Sequence, residues 1–231
     1  MKIKISCLAV SVGLLLACAA PAMSAPPTGP TPEYKIVDEH TTKSPDGSTT
    51  VEQYYKTDKD ENWIWQFWAR RADSTTLLGP EQPDYAAGFS FTSDSRWLIR
   101  LQKTGSGETD LFLYKLGPQG FVAATKKPLS ELAWNYFYKQ PASRKIIKPD
   151  FHINAFPLKP TDDKDTSLWE DWPDSRYLVI SLVGEAEPNG KHHQMTTVGD
   201  WRCRYDLEKG TFDVPQVFLK HNAEALIPAR P

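Results

Sequence analysis

The sequence has few cysteines, no excess of basic residues and no recognisable catalytic motif. Only three cysteines occur among 231 residues, at Cys7, Cys18 and Cys203, which excludes a scaffold built on disulfides. Lysine and arginine number 27 against 29 aspartates and glutamates, without a basic stripe, so a nucleic-acid-binding protein is not expected. The GxSxG, SxxK, Walker A and GxGxxG patterns are also missing. Catalysis would therefore require residues that are dispersed in the sequence and meet in space.

The amino-terminal segment has the pattern of a secretory signal peptide. Lys2 and Lys4 precede an apolar run over residues 5–17, which is too short for a comfortable membrane span and is followed by small residues. We therefore predict a signal peptide over residues 1–24 and a periplasmic or secreted protein. The Leu-Leu-Ala sequence before Cys18 also resembles a bacterial lipobox, so lipidation of Cys18 and an outer-membrane lipoprotein are the alternative.

The remainder predicts a short linker and one domain. Residues 25–33 are rich in proline and favour an extended tether. Residues 34–231 are numerous enough to enclose a hydrophobic core, and the chain's eight tryptophans, nine tyrosines and ten phenylalanines supply its volume. We predict a single β-rich domain over this range.

A turn-and-strand pattern occurs twice in this domain. The first copy, residues 93–122, reads as a turn, a strand, a hairpin loop, a returning strand and a second turn. The second copy, residues 173–212, has the same order. The Arg-aromatic-Leu start at Arg96 recurs 80 positions later, whereas Tyr114 recurs 91 positions later, so the hairpin loop of the second copy is longer. Repeated units of this kind bury their apolar faces on one another.

A degenerate copy begins at the Ser-Pro-Asp-Gly turn of residues 44–47 and returns through residues 63–68. The repeated unit resembles the blade repeat of TolB-type and WD40-like β-propellers, whose blades carry Ser-Pro-Asp-Gly or a relative before a strand. The resemblance implies antiparallel sheets built from hairpins. Because the copies are unevenly spaced, we expect a mainly β fold that is an incomplete propeller or a sandwich.

One helix is predicted over residues 128–139, where apolar residues recur at helical spacing and Pro141 ends the pattern. Residues 151–153 predict a short strand in an otherwise irregular connection. The segment after Phe218 is expected to dock loosely on the domain.

The extended loop of the second copy, residues 184–199, is the first candidate site. It contains Glu185, Glu187, His192 and His193, which are residue types that bind zinc or supply a general base. However, adjacent histidines point apart on an extended backbone, and no third ligand is evident. No metal or cofactor is therefore predicted, and a solvated loop is the interpretation that we favour.

Aromatic residues mark a second candidate site. Trp63, Trp65 and Phe67 share one face of a predicted strand, and such a face can bind sugar rings or peptides. The alternative, which we favour, is that the face belongs to the core.

Two further positions are weighed from strand alternation. Cys203 falls at a core position of the second copy and is expected to be a buried thiol. Arg202 and Arg204 lie on the opposite face, where an anion or a surface ion pair is expected.

These patterns favour a non-catalytic binding or interaction module of the bacterial cell envelope. An envelope hydrolase that uses the loop at 184–199 is one alternative, and an inhibitor or immunity-type protein is another. The expected partner is an envelope protein or a small ligand, without nucleic acid, and with membrane contact only through a lipid on Cys18.

Overall fold

Two largely antiparallel β-sheets and two short helices form the described part of the protein. The structure, a computed structural model, describes residues 29–158, 176–186 and 196–227. The first sheet contains β1 (Lys35–Ile36), β2 (Thr42–Lys43), β3 (Thr50–Thr57), β4 (Trp63–Arg70), β5 (Thr75–Leu77) and β6 (Gln82–Pro83). The second sheet contains β7 (Ala87–Phe91), β8 (Trp97–Gly105), β9 (Glu108–Gly117), β10 (Gly120–Ala123), β11 (Phe151–Pro157), β12 (Tyr177–Ala186), β13 (Thr196–Asp206), β14 (Thr211–Asp213) and β15 (Leu226–Ile227). The helices are α1 (Leu129–Phe137) and α2 (Leu219–Glu224).

The mainly β fold class is confirmed, and so is the helix predicted over residues 128–139. Helix α1 buries Leu129, Ala133 and Phe137 on one side, as the spacing of its apolar residues requires. The short strand expected at residues 151–153 is longer than predicted, because β11 continues to Pro157 along the edge of β12. Among the described residues, no helix is long and apolar enough to cross a bilayer.

The strand register reproduces the repeat that was inferred from the sequence. In the first copy Leu98 lies opposite Tyr114, and in the second copy Leu178 lies opposite Tyr205. These pairs keep the offsets of 80 and 91 positions. The turns that follow the hairpins also match, since an amide of the outgoing strand donates to the carbonyl of the arginine that starts the copy: Leu116 to Arg96 at 2.8 Å and Leu207 to Arg176 at 2.7 Å.

The opening turn of the degenerate copy has the same hydrogen-bonded geometry as the opening turn of the first copy. The Ser44 hydroxyl donates to the Asp46 carboxylate at 2.6 Å and accepts the Thr49 amide at 2.9 Å. In the first copy the Thr92 hydroxyl bonds Asp94 and the Trp97 amide in the same way, at 2.7 Å and 3.1 Å. The third residue after each hydroxyl has positive φ, a conformation that suits short polar side chains and glycine. These two residues are Gly47 at 69° and Ser95 at 60°.

Two hydrophobic cores separate the copies. The inter-sheet core lies between β3–β4 of the degenerate copy and β8–β9 of the first copy, and its buried members include Trp65, Phe67, Leu98, Tyr114 and Phe121. The helix-side core lies between the other face of the first copy, β12–β13 of the second copy and α1, and its buried members include Ile99, Leu113, Phe137, Ile180 and Cys203. Because strand side chains alternate, β8 and β9 contribute opposite faces to the two cores.

A buried glutamine joins the two sheets at one point. The Gln53 side chain on β3 donates to the Ala87 carbonyl at 2.8 Å and accepts the Ala87 amide at 3.0 Å. The amide of Gln53 thus takes the place of a neighbouring strand at the edge residue Ala87 of β7. A side-chain amide is suited to this task because it carries both a donor and an acceptor.

Residues 219–227 are held to β13 by specific hydrogen bonds, which is a firmer docking than the sequence predicts. Asn222 on α2 accepts the Arg202 amide at 2.7 Å and donates to the Arg202 carbonyl at 2.8 Å. Strand β15 then pairs with β13 at Val198. The sequence pattern misses this arrangement because α2 and β15 are short and owe their order to tertiary hydrogen bonds.

Candidate functional site

The aromatic face of β4 is divided between core and surface. Trp65 and Phe67 are buried, as the favoured interpretation predicted, whereas Trp63 at the start of the strand is 52% exposed. The Trp63 ring centre lies 5.5 Å from that of Tyr55 and 6.0 Å from that of Trp65. Trp63 is therefore the exposed end of a buried aromatic row, and Trp65 is not available at the surface.

Glu185 contacts a histidine, but that histidine is His152 and not one of the pair in the loop. His152 Nδ1 lies 3.2 Å from Glu185 Oε2, and both side chains are partly exposed. No hydroxyl or thiol in the described part of the chain bonds His152. The pair therefore has no nucleophile to activate there. Outside the described residues lie Cys18, Glu187, His192 and His193.

A serine, an aspartate and a histidine meet at a bulge in β13, but not in the order of a catalytic triad. The Ser181 hydroxyl donates to Asp200 at 2.5 Å, and His221 Nε2 lies 3.0 Å from the same carboxylate. In a triad the histidine must lie between the hydroxyl and the carboxylate. Here the carboxylate lies in the middle, so the arrangement fixes α2 to the sheet and does not activate Ser181.

The remaining residues of β13 have structural environments. Cys203 is completely buried in the helix-side core, and burial raises the pKa of its thiol. Arg202 Nη2 lies 2.7 Å from Asp200, and Arg204 Nη2 lies 2.6 Å from Asp213. The core position of Cys203 is confirmed, and both arginines form ion pairs, although Arg202 is buried and only the pair of Arg204 is partly exposed as a surface ion pair would be.

A cleft lies at the boundary between the two sheets. It has a volume of about 450 Å³. Its walls come from β5 and the turn that follows it, from β8, β9 and β10, and from the loop that precedes α1. The lining residues that matter for its chemistry are Gly79, Arg100, Phe112, Tyr114, Val122 and Lys126. None of these was selected as a site residue from the sequence.

Arg100 at the base of this cleft is a buried cation without a carboxylate partner. Its side chain is 1% exposed, and it forms no ion pair with any described residue. Nη1 donates to the Leu78 carbonyl at 2.7 Å, while Nε is buried without a hydrogen-bond partner. Burial lowers the pKa of the guanidinium, with Tyr114 and Asp110 opposing this shift. A buried charge with unpaired donors is costly, so such a group calls for an explanation.

Aromatic rings hold the guanidinium in place. Its central carbon lies 4.1 Å from the ring centre of Phe112, 5.2 Å from that of Phe67 and 5.9 Å from that of Tyr114. Cation–π contacts of this kind offset part of the desolvation cost but satisfy no N–H donor. Arg100 is therefore oriented by the protein, and it still has an N–H donor that no described group satisfies.

The turn after β5 fixes the position of the cleft's base. The Leu78 carbonyl accepts from Arg100 and also from the Tyr114 hydroxyl at 3.1 Å. Gly79 follows with φ of +89°, and a Cβ at this position would lie 3.5 Å from both Arg100 Nη1 and the Tyr114 hydroxyl. Glycine allows this turn to close over the arginine without filling the cleft.

The rim of the cleft combines apolar surface with positive charge. Val122 is 55% exposed and contributes apolar surface to the rim. Lys126 is exposed and has no partner within the described residues, whereas neighbouring Lys127 pairs with Glu131. Since the nearby lysine charge is not neutralised, the rim favours the approach of anions.

The repeat contains a signal that points to Arg100. Strand alternation places Arg100 on the same face as Leu98, among apolar neighbours, and its counterpart 80 positions later is Ile180. A charged residue where the other copy has a buried aliphatic one breaks the pattern. Recognising it as a site requires the missing carboxylate partner, which only tertiary structure reveals.

Within the described residues, no group of three or more His, Cys, Asp or Glu side chains is arranged to hold a metal ion. Comparison with models of known protein families and with curated proteins gives no match for this chain.

Proposed function

We propose that this protein is an exported, non-catalytic binding module of the bacterial cell envelope, and that it captures a small anionic ligand in the cleft at Arg100. The proposal combines the secretory pattern of residues 1–24 with the chemistry of the cleft. Its main support is one observation: the guanidinium of Arg100 is buried, held by aromatic rings, and unpaired by any described carboxylate.

A bound anion would supply what Arg100 lacks in the free protein. Arginine stays protonated in proteins, and its donors form a planar fork that matches acidic groups. An anion that reaches this fork gains a charge-assisted hydrogen bond in a site of low dielectric, where such a bond is stronger than at the surface. The cleft volume of about 450 Å³ lies in the range of small-molecule sites.

The test is titration of the mature protein with 1-anilinonaphthalene-8-sulfonate, a fluorescent apolar anion. We expect saturable binding with one site per chain, and a loss of at least about tenfold in affinity for Arg100→Ile, since a hydrogen bond to a charged group contributes about 1.5–3 kcal/mol. Isoleucine is the residue that the second copy has at the equivalent position, Ile180.

The matched control is Lys103→Ile, which removes one positive charge from the exposed end of the same strand, outside the cleft. Its affinity should equal that of the wild type. A second variant, Val122→Asp, leaves the core intact and places a negative charge at the rim, so it should weaken binding of the anion. Equal affinities for the wild type, Arg100→Ile and Val122→Asp would overturn the proposal.

A further inference from the structure

We infer that the cleft selects a monocarboxylate with an apolar body over phosphorylated or neutral molecules of the same size. This inference rests on the proposed function, since it names the class of ligand for the same cleft. It follows from the charge, the donors and the walls of the cleft, taken in turn below.

The charge of the base matches a single negative charge. Arg100 is the buried cation of the cleft, whereas the other two lining cations, Lys126 and Lys127, are exposed at its rim. A carboxylate carries one negative charge, whereas a phosphate monoester carries about 1.5–2 at neutral pH. A buried phosphate would keep an uncompensated negative charge, which is costly in a desolvated site.

The donor geometry also favours a carboxylate. Nη1 is already bonded to the Leu78 carbonyl, and the Tyr114 hydroxyl donates to the same oxygen. Both groups are already engaged, so neither adds a donor for a doubly charged head group. The unpaired Nε and the unengaged Nη2 lie on one edge of the guanidinium. One such edge pairs with the two oxygens of a planar carboxylate.

The walls above the arginine favour an apolar ligand body. The cleft is lined by the aliphatic side chains of Leu77 and Val122 and by the ring of Phe112, which is half-buried beside the guanidinium. Val122 is the most exposed of these apolar groups, so it offers surface that a ligand can cover. Burial of apolar area contributes about 25 cal/mol per Å², which a short chain can supply and acetate cannot.

The experiment is displacement of the bound fluorescent anion by ligands that share a tail and differ in their head. Octanoate, octyl phosphate, octanol and octyltrimethylammonium are titrated at pH 7 and constant ionic strength, with acetate and inorganic phosphate as heads without tails. We expect octanoate to displace the probe at a concentration at least about tenfold lower than each of the others.

Arg100→Ile should remove the preference of octanoate over octanol, because the head group then has no partner. Arg100→Lys should keep some preference but reduce it, since an ammonium lacks the planar fork. N-acetyl-leucylphenylalanine serves as a second monocarboxylate and shows whether a peptide carboxyl terminus competes as well as an acyl chain does.

The outcomes separate this inference from the proposed function. If octyl phosphate or acetate displaces the probe as well as octanoate does, the selectivity is refuted while anion binding in the cleft stands. If the probe binds equally well to the Arg100→Ile variant, the proposed function itself fails. Preference for octanol over octanoate would refute both.

Discussion

Two equivalent places in the repeat contain different chemistry. In the first copy Arg100 lies opposite Phe112, and in the second copy Ile180 lies opposite Cys203, in the same register. All four side chains point to the corresponding face of their hairpin. The pair with isoleucine and cysteine belongs to the helix-side core, while the pair with arginine and phenylalanine borders the inter-sheet core and the cleft.

The difference shows how one scaffold can provide both a sealed core and a binding site. Helix α1 covers the helix-side core, where the neutral thiol of Cys203 packs as a small apolar group. At the inter-sheet core the degenerate copy faces the first copy, and β5 and its following turn leave a cleft beside Arg100. A charge is tolerated there because aromatic rings and a carbonyl contact it.

Replacing each residue by its counterpart in the other copy gives the largest expected effects on stability. Ile180→Arg places an unpaired cation in the sealed core and should lower the free energy of unfolding by more than about 4 kcal/mol. Arg100→Ile should change it by less than about 2 kcal/mol, in either direction, because the Leu78 carbonyl keeps the Tyr114 hydroxyl as a donor. Urea denaturation followed by tryptophan fluorescence measures both values.

Equal destabilisation by the two substitutions would show that Arg100 is a structural part of the inter-sheet core and not a group kept for a ligand. Lys103→Ile, at the exposed end of β8, gives the background effect of replacing a cation on this strand.

The link between the sheets gives a second, smaller effect. Gln53→Leu keeps a buried side chain of similar length but leaves the amide and carbonyl of Ala87 without their partner. Each buried polar group left unsatisfied costs about 1–3 kcal/mol, so we expect a loss of that order in the free energy of unfolding. Urea denaturation of Gln53→Leu beside Gln119→Leu measures it, since Gln119 is exposed and its side chain bonds no described residue.

If Gln53→Leu unfolds at the same urea concentration as the wild type, this hydrogen-bonded link adds nothing measurable to the free energy of unfolding. At the helix-side core the Asn222 side chain forms a comparable pair of hydrogen bonds, with the backbone of Arg202.

Sequence patterns carry the repeat and its strands well, because both depend on local alternation and on turn residues. The offsets of 80 and 91 positions in the sequence are the offsets of the strand register. The order of the carboxy-terminal segment was missed because Asn222 docks through a contact 20 positions away in the chain. The selection of a site failed for a related reason.

Histidines and carboxylates in a long loop are easily selected as a candidate site from the sequence, because their residue types alone indicate metal-binding or acid–base chemistry. Arg100 has an ordinary place in a strand, and its importance depends on which carboxylates are absent around it in space. The tertiary structure also gives Glu185 a partner that lies in another strand, His152. Partners and their absence are properties of the fold, which a local pattern does not contain.

The smallest expected effect is on the pH dependence of the melting temperature, and it concerns the equivalent opening turns of the degenerate and first copies. The hydroxyl of Ser44, followed by the amide and hydroxyl of Ser48, donates to Asp46 and holds the pKa of its carboxyl well below the ordinary value of 3.8. A carboxyl whose pKa is lowered by folding adds stability above its unfolded pKa, and this contribution is lost as the pH falls. Asp46→Asn should therefore lower the melting temperature at pH 7 by a small amount and at pH 3 by less.

Melting curves of the wild type, Asp46→Asn and Asp60→Asn between pH 3 and pH 7 measure this difference. Asp60→Asn is the surface control, because Asp60 lies in the exposed hairpin between β3 and β4. In Asp94, the equivalent residue of the first copy, burial opposes the same shift, but hydrogen bonds from Arg96 and Thr92 outweigh it and lower the pKa. Asp94→Asn should therefore reduce the fall in melting temperature between pH 7 and pH 3, as Asp46→Asn does. If neither substitution reduces the fall in melting temperature of the wild type between pH 7 and pH 3, the two turns match in geometry but contribute no charge-dependent stability.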